Sequence, residues 1–361
     1  MTVESKLSSR ERVRLALAHQ TTDRIPIALV CAGINPPAAA VLDALLQRTR
    51  GIDLRNWLGA FVDIRGVAPR TIGPPLSPGE DIWGVRRAPV SYGAGAYDEI
   101  VGYPLAEAQD IADLAHHRWP RIEWFDAPSL LDSIAAAQAD GEHCLMISNG
   151  NIFESAWYMR GFERLMLDFA INPDLAHALL ERVADFHIAH FRRMLEVADG
   201  RVDLAFTADD IAGQRGLLLS LDMWERFIKP HHQRLNRAIH EFGVKVIYHS
   251  DGAVTAAPAV PGLIDMGIDV LQALQFSAKG MNAVALKQDF GDRLCFEGGV
   301  SVQTTLPFGT ADEVRGETRM LITALGKGGG YILGPTHAIQ AGTPPENVPA
   351  MFDTALGFYL Y

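Results

Sequence analysis

Residues 244–252 read Val-Lys-Val-Ile-Tyr-His-Ser-Asp-Gly. Val244–His249 is a β-branched, apolar run of strand length, and His249, Ser250 and Asp251 follow where it ends, before Gly252. The same layout returns along the chain. Ile27–Cys31, Phe61–Ile64, Cys144–Ser148, Asp203–Thr207, Val270–Ala273, Leu294–Glu297 and Gly330–Leu333 are further candidate strands, and longer amphipathic stretches lie between them. Asp174–Val197 sets Leu175, Leu179, Leu180, Val183, Phe186 and Phe191 close to a 3.6-residue period. Leu221–His240, Ala311–Leu325 and Pro344–Phe358 also read as helices, the last opened by a hydroxyl, prolines and an acid at Thr343-Pro344-Pro345-Glu346. Strands alternating with helices imply a mostly parallel sheet. Eight such strands predict an α/β fold, a (β/α)8 TIM barrel with an N-terminal helical elaboration. The reading is one domain over 1–361, with a helical segment at 1–24 and the barrel at 25–361. An open, doubly wound sheet is the alternative, but Ala32-Gly33-Ile34-Asn35-Pro36 after the first strand is not a G-x-G-x-x-G turn. The Pro/Gly-rich stretch from Val67 to Gly95 reads as an excursion within the domain.

Composition narrows the function. The 361 residues are 48% apolar and 21% charged, which excludes disorder as the main state. No apolar run approaches the roughly 20 residues that span a bilayer, and the N-terminus lacks the apolar core of a signal peptide. With 43 acids against 32 bases, a net charge of −11, and no Lys/Arg-rich block, neither nucleic acid nor an anionic membrane is an expected partner. Cys31, Cys144 and Cys295 form no C-x-x-C pair, so a disulfide framework is not expected and a cytoplasmic location fits. A small-molecule ligand is expected.

Barrel active sites lie at the C-terminal strand ends. Those ends carry Asn149 with Glu154 beyond it, Asp209-Asp210, Tyr248-His249-Ser250-Asp251, Gln272 and Gln275, Glu297, and Thr336-His337. Residues two apart on a strand share a face, so His249 and Asp251 can both face the mouth, and His337 is the obvious third ligand for a catalytic metal site. The alternatives are a turn at Asp251-Gly252 and a hydrogen-bonded core histidine. Asp209 and Asp210 point opposite ways on a strand, so one is a candidate base or substrate anchor while the other caps a turn or helix. His231-His232 diverge by about 100° on a helix and read as a solvated face. His116-His117 read as a helix end. Lys327-Gly328-Gly329-Gly330 precedes a strand and reads as a turn rather than a phosphate loop.

Arg10-Glu11-Arg12-Val13 through Asp23-Arg24-Ile25-Pro26 resembles the opening segment of uroporphyrinogen decarboxylase superfamily proteins. Tyr248 to Gly252, Phe296-Glu297-Gly298-Gly299-Val300 and Gly329 to Leu333 with Thr343-Pro344-Pro345-Glu346-Asn347 resemble its later motifs. The resemblance implies a (β/α)8 barrel. The decarboxylase branch carries Arg-Gln-Ala-Gly-Arg after the first strand to hold substrate carboxylates; here the region is Val30-Cys31-Ala32-Gly33-Ile34-Asn35, without either arginine. The other branch contains zinc-dependent methyltransferases that work with corrinoid proteins, their ligands a His-x-Cys-Gly motif and a later cysteine. His249 matches the histidine, Asp251 the first cysteine, and His337 falls near the second.

The resemblance therefore implies zinc on His249, Asp251 and His337, and a corrinoid on a partner protein. A His2Asp set is harder than one with two thiolates and suits polarising an oxygen. The function expected is a metal-dependent methyltransferase or demethylase acting on a small methoxy or methylamine compound. A decarboxylase of a small acid and a non-catalytic metabolite- or corrinoid-binding barrel are the alternatives. Asp209, Asp210, Gln275 and Glu297 are the expected catalytic residues. Asn149, Glu154, Tyr248 and Gln272 are the expected substrate contacts, and a homodimer is left open.

Overall fold

Inside the barrel, one residue from each stave of the sheet meets its counterparts: Ala28, Ile64, Met146, Leu204, Ile247, Val270, Cys295 and Ile332 form a single buried cluster. Eight staves sharing one interior are what the sequence pattern anticipates. The structure, a computed structural model, describes residues 7–31, 33–93, 95–254 and 259–358. The first six residues of the expected N-terminal segment, and Ala32 of the turn weighed against a dinucleotide fingerprint, lie outside the described residues.

Seven strands, β1 (Ile64–Gly66), β2 (Cys144–Asn151), β3 (Leu204–Ala208), β4 (Lys245–His249), β5 (Val270–Gln272), β6 (Cys295–Val300) and β7 (Tyr331–Pro335), pair in parallel in chain order. The eighth stave is shorter than expected. Of the candidate strand Ile27–Cys31, only Ile27 makes a bridge, to Leu333. Residues 26–28 nevertheless join the two sheet edges. Ala28 N donates to Leu333 O at 2.9 Å and Leu333 N to Pro26 O at 2.8 Å, while Asp63 N donates to Ile27 O at 2.8 Å on the other side. The ladder is thin because Pro26 has no N–H to give. In addition, the Ile27 N–H goes to the Asp63 carboxylate at 2.8 Å.

The helix Ser9–Leu17 closes the N-terminal end of the barrel, its Val13 entering the interior cluster. Buried Arg12 reaches Asp63 and Asp23 at 2.7 Å each, and Arg24 also meets Asp63 at 2.7 Å. With both charges satisfied, burying Asp63 does not leave an unpaired ion. Alternate strand residues (Val246, Tyr248, Leu271 and Phe296) face outward into a second core shared with helices such as Pro173–Ala198. The expected helix Leu221–His240 is two, Leu221–Phe227 and Lys229–His240, because Pro230 cannot donate across the junction. The Pro/Gly-rich excursion carries an antiparallel hairpin, Arg86–Ser91 with Ala96–Gly102.

Candidate active site at the strand ends

Alternation carries the interior pattern one pleat further, to the mouth. Beyond Ile247 comes His249, beyond Val270 Gln272, beyond Cys295 Glu297, and beyond Leu204 and Phe206 come Ala208 and then Asp210. His249 Nδ1 is hydrogen-bonded to Gln272 Oε1, and an amide oxygen only accepts, so Nδ1 carries the proton. Gln272 is oriented in turn by donating from Nε2 to Thr336 O at 3.4 Å. Nε2 of His249 therefore faces the mouth, 3.7 Å from Asp210 Oδ1.

Two groups of ligand-capable atoms share His249. Cys31, His249 and His337 lie within 4.8 Å of one another, and so do Asp210, His249 and Asp251. Asp251 and His337, expected as partners in one triad, thus fall in separate groups around the same histidine. Burial pushes the Cys31 thiol up, but hydrogen bonds from His249 and His337 outweigh it and bring it down to about 6. The imidazoles respond in kind. Burial of His249 opposes its charge and the Cys31 sulfur overrides that, while the same sulfur is the main cause raising His337. Cys31 was not among the expected site residues. Its signal was its place at the end of the first candidate strand.

The adjacent aspartates are placed apart. Asp209 is fully buried toward the helix layer, accepting from Phe153 N and Glu154 N at 2.8 Å each, at the start of the helix Phe153–Arg160. Its Oδ2 also meets His232 Nε2 at 2.5 Å. His232 is consequently no part of a solvated face: it has no exposure, and a carboxylate is its partner. Asp210 remains at the mouth, its side chain 40% exposed and its Oδ1 accepting from Asp251 N at 2.7 Å.

Glu154 accepts from Asn151 Nδ2 at 2.6 Å and from Tyr158 OH at 2.8 Å. Burial, then the charges of Asp209 and Asp210, raise it to about 7. Glu297 is buried inside the barrel, and neither carboxyl oxygen has a hydrogen-bond partner among the described residues. Burial raises it well above its ordinary value and so opposes its ionisation, with Cys31 and His249 among its neighbours. Gly334 makes room for it, since a Cβ there would stand 2.5 Å from Glu297 Oε1.

Other expected residues stand back from this centre. Tyr248 faces outward, donating to Asp209 O at 3.3 Å. Gln275 is occupied in holding loops together, accepting from Gly252 N at 2.9 Å and donating to Gln303 Oε1 at 2.5 Å. Asn149 is exposed with a φ of 84°, where the β2–β3 register shifts. The hairpin reaches over the mouth. Burial raises the Tyr97 phenol, whose neighbours include Gln340 and Asp251, and the Arg87 guanidinium lies 5.1 Å from the Tyr158 ring centre.

The family model "Uroporphyrinogen decarboxylase (URO-D)" matches residues 88–357, about three quarters of the chain. The chain belongs to the uroporphyrinogen decarboxylase family. Members of more than one activity resemble it. A methylated-thiol–coenzyme M methyltransferase of Methanosarcina mazei is 28% identical over 198 residues, 55% of this chain and 49% of that protein. A uroporphyrinogen decarboxylase of Anaeromyxobacter dehalogenans is also 28% identical, over 277 residues, 74% of this chain and 73% of that protein. The chain thus spans about half the length of the first relative and most of the second. A solved structure, a methyltransferase from Methanosarcina mazei, shares the fold over 97% of this chain and 98% of its own, with a TM-score of 0.68 at 19% identity. Among the described residues, no helix is long and apolar enough to cross a membrane.

Proposed function

We propose that this family member is a metal-dependent methyl-transfer enzyme that removes a methyl group from a small methoxy or methylamine compound and passes it to a corrinoid protein. The observation that carries the reading is the convergence on His249 Nε2. One imidazole nitrogen, oriented by Gln272, faces a second imidazole, a thiol and two carboxylates at the mouth of the barrel. Orientation of a ligating histidine through its other nitrogen is a recurrent feature of metal sites. His249 and His337 would hold the ion, with Asp251 and Asp210 beside it. When bound there, a divalent metal supplies Lewis acidity toward the substrate heteroatom.

The remaining steps belong to the chain. Asp210, open at the mouth, anchors a polar substrate group. Loss of the methyl leaves an oxygen or nitrogen that requires a proton. Glu154, titrating near 7, and Glu297, whose ionisation burial opposes, are the groups placed to supply one. Asp209 positions rather than reacts, fixing the first turn of the helix that carries Glu154. Metal-loaded and metal-stripped protein, given cob(I)alamin as acceptor and a panel of methoxy-arenes and methylamines, test the reading. Methylcob(III)alamin should form in the loaded protein only. Equal rates in both would overturn the metal dependence.

A further inference from the structure

We infer that Cys31 is a metal ligand, so that the ion is held by one sulfur and two imidazole nitrogens, Cys31, His249 and His337. The inference deepens the metal reading above and rests on it, because it specifies which side chains make that site.

The fold brings these three residues together by a backbone device independent of the cluster. Downstream of Cys31, Asn35 N donates to Ile339 O at 2.9 Å and Ile339 N to Gly33 O at 3.0 Å, with Asn35 Nδ2 donating to Gln340 Oε1 at 2.8 Å. The loop after the first stave is thereby stitched to the loop after β7, which holds Cys31 beside His337. At Cys31 the chain bends, its carbonyl accepting from Gly33 N at 2.7 Å. His249 approaches from β4, on another part of the barrel wall, and its ring centre lies 5.7 Å from that of His337. Three ligand atoms within 4.8 Å need only a small adjustment to reach the roughly 3.3–3.7 Å separations of a tetrahedral site with bonds of about 2.0–2.3 Å.

Only one nitrogen of His249 is available, since Gln272 holds Nδ1. A single ion can therefore use His249, and the two groups around it compete for one site. The Cys31 group contains two imidazoles and a thiol, donors suited to zinc or cobalt, whereas the Asp210 group offers mainly hard oxygens. Asp210 and Asp251 are then left beside the ion to meet the substrate. The other two cysteines cannot take this role, because Cys144 and Cys295 are buried in the barrel interior cluster.

The test uses Co(II) as the probe, titrated into the metal-free 361-residue chain and followed by absorption. Wild type should bind about one equivalent with a near-ultraviolet sulfur-to-cobalt charge-transfer band. Cys31→Ser should lose the band and bind Co(II) more than about 100-fold more weakly, beyond the 10–100-fold typical of losing an outer partner. Asp251→Asn should keep the band. As a measurement that needs no variant, one equivalent of zinc should block alkylation of Cys31 by iodoacetamide in the wild type. Stoichiometric Co(II) binding without a sulfur band, or a band that survives in Cys31→Ser, would overturn the ligand assignment while leaving a metal enzyme. Failure of the wild type to bind Co(II) would overturn both.

Discussion

Gln272 holds Nδ1 of His249 through its amide oxygen, and with that contact the opposite nitrogen is committed to the barrel mouth. The pair is made by neighbouring strands in register, His249 of β4 opposite Gln272 of β5. Replacing Gln272 with Ala should therefore free the ring without unfolding the barrel. Metal affinity should fall about 10–100-fold, the usual effect of losing such an orienting partner. Competition against a chromophoric chelator measures it, and unchanged affinity would show that the contact does not matter to binding.

The adjacent aspartates should separate stability from turnover. Asp209→Asn weakens the acceptor of two backbone N–H groups at a helix start and of His232, and should cost about 1–3 kcal/mol. Asp210→Asn leaves those contacts alone and should lower kcat/KM by about 10²–10⁴-fold with little change in Tm. Thermal melts and kinetics on both variants decide. A destabilised Asp210→Asn with full activity would contradict the assignment.

Glu154 should leave a signature in the pH dependence of stability. Its carboxyl keeps a proton up to about 7 in the folded chain, against 4.5 ordinarily. Between those values the folded state binds more protons than the unfolded state, so the Glu154 contribution to stability declines as pH rises through that window. Glu154→Gln removes this decline. Urea unfolding from pH 4.5 to 7.5 should show the variant gaining on the wild type with rising pH, and a constant difference would place the Glu154 pKa in the ordinary range.

Uroporphyrinogen should not be decarboxylated at rates near 1 per second, typical of enzymes. A substrate rich in carboxylates requires cations, and this mouth presents Asp210, Asp251 and Glu154 with no arginine pair after the first stave. Product analysis from anaerobic incubations checks the expectation, and turnover at that rate would return the chain to the decarboxylase branch.

Much of the barrel was legible because alternation is a local property. Ile247 inside means His249 inside, and the same count separates Asp209 from Asp210. The same count also sends Tyr248 outward, against its expected place as a substrate contact. What was not legible depends on distant parts of the chain. The first stave pairs through one bridge and borrows the Asp63 carboxylate, so its length could not be read from its own residues. Cys31 follows inward-facing Ala28 and Val30, so alternation sends it away from the axis. Only the bend closed by Gly33 N, and the stitching of 33–35 to 339–340, bring it to the histidines. His232 looked solvated because its partner, Asp209, is 23 residues away and on another element.

Elemental analysis of purified wild type beside His249→Ala probes the metal centre most directly, because His249 belongs to both groups of ligand atoms. About one divalent ion per wild-type chain, lost in the variant while the fold is retained by circular dichroism, is the expected result. Equal, near-zero metal in both proteins after growth and purification with zinc supplied would contradict it.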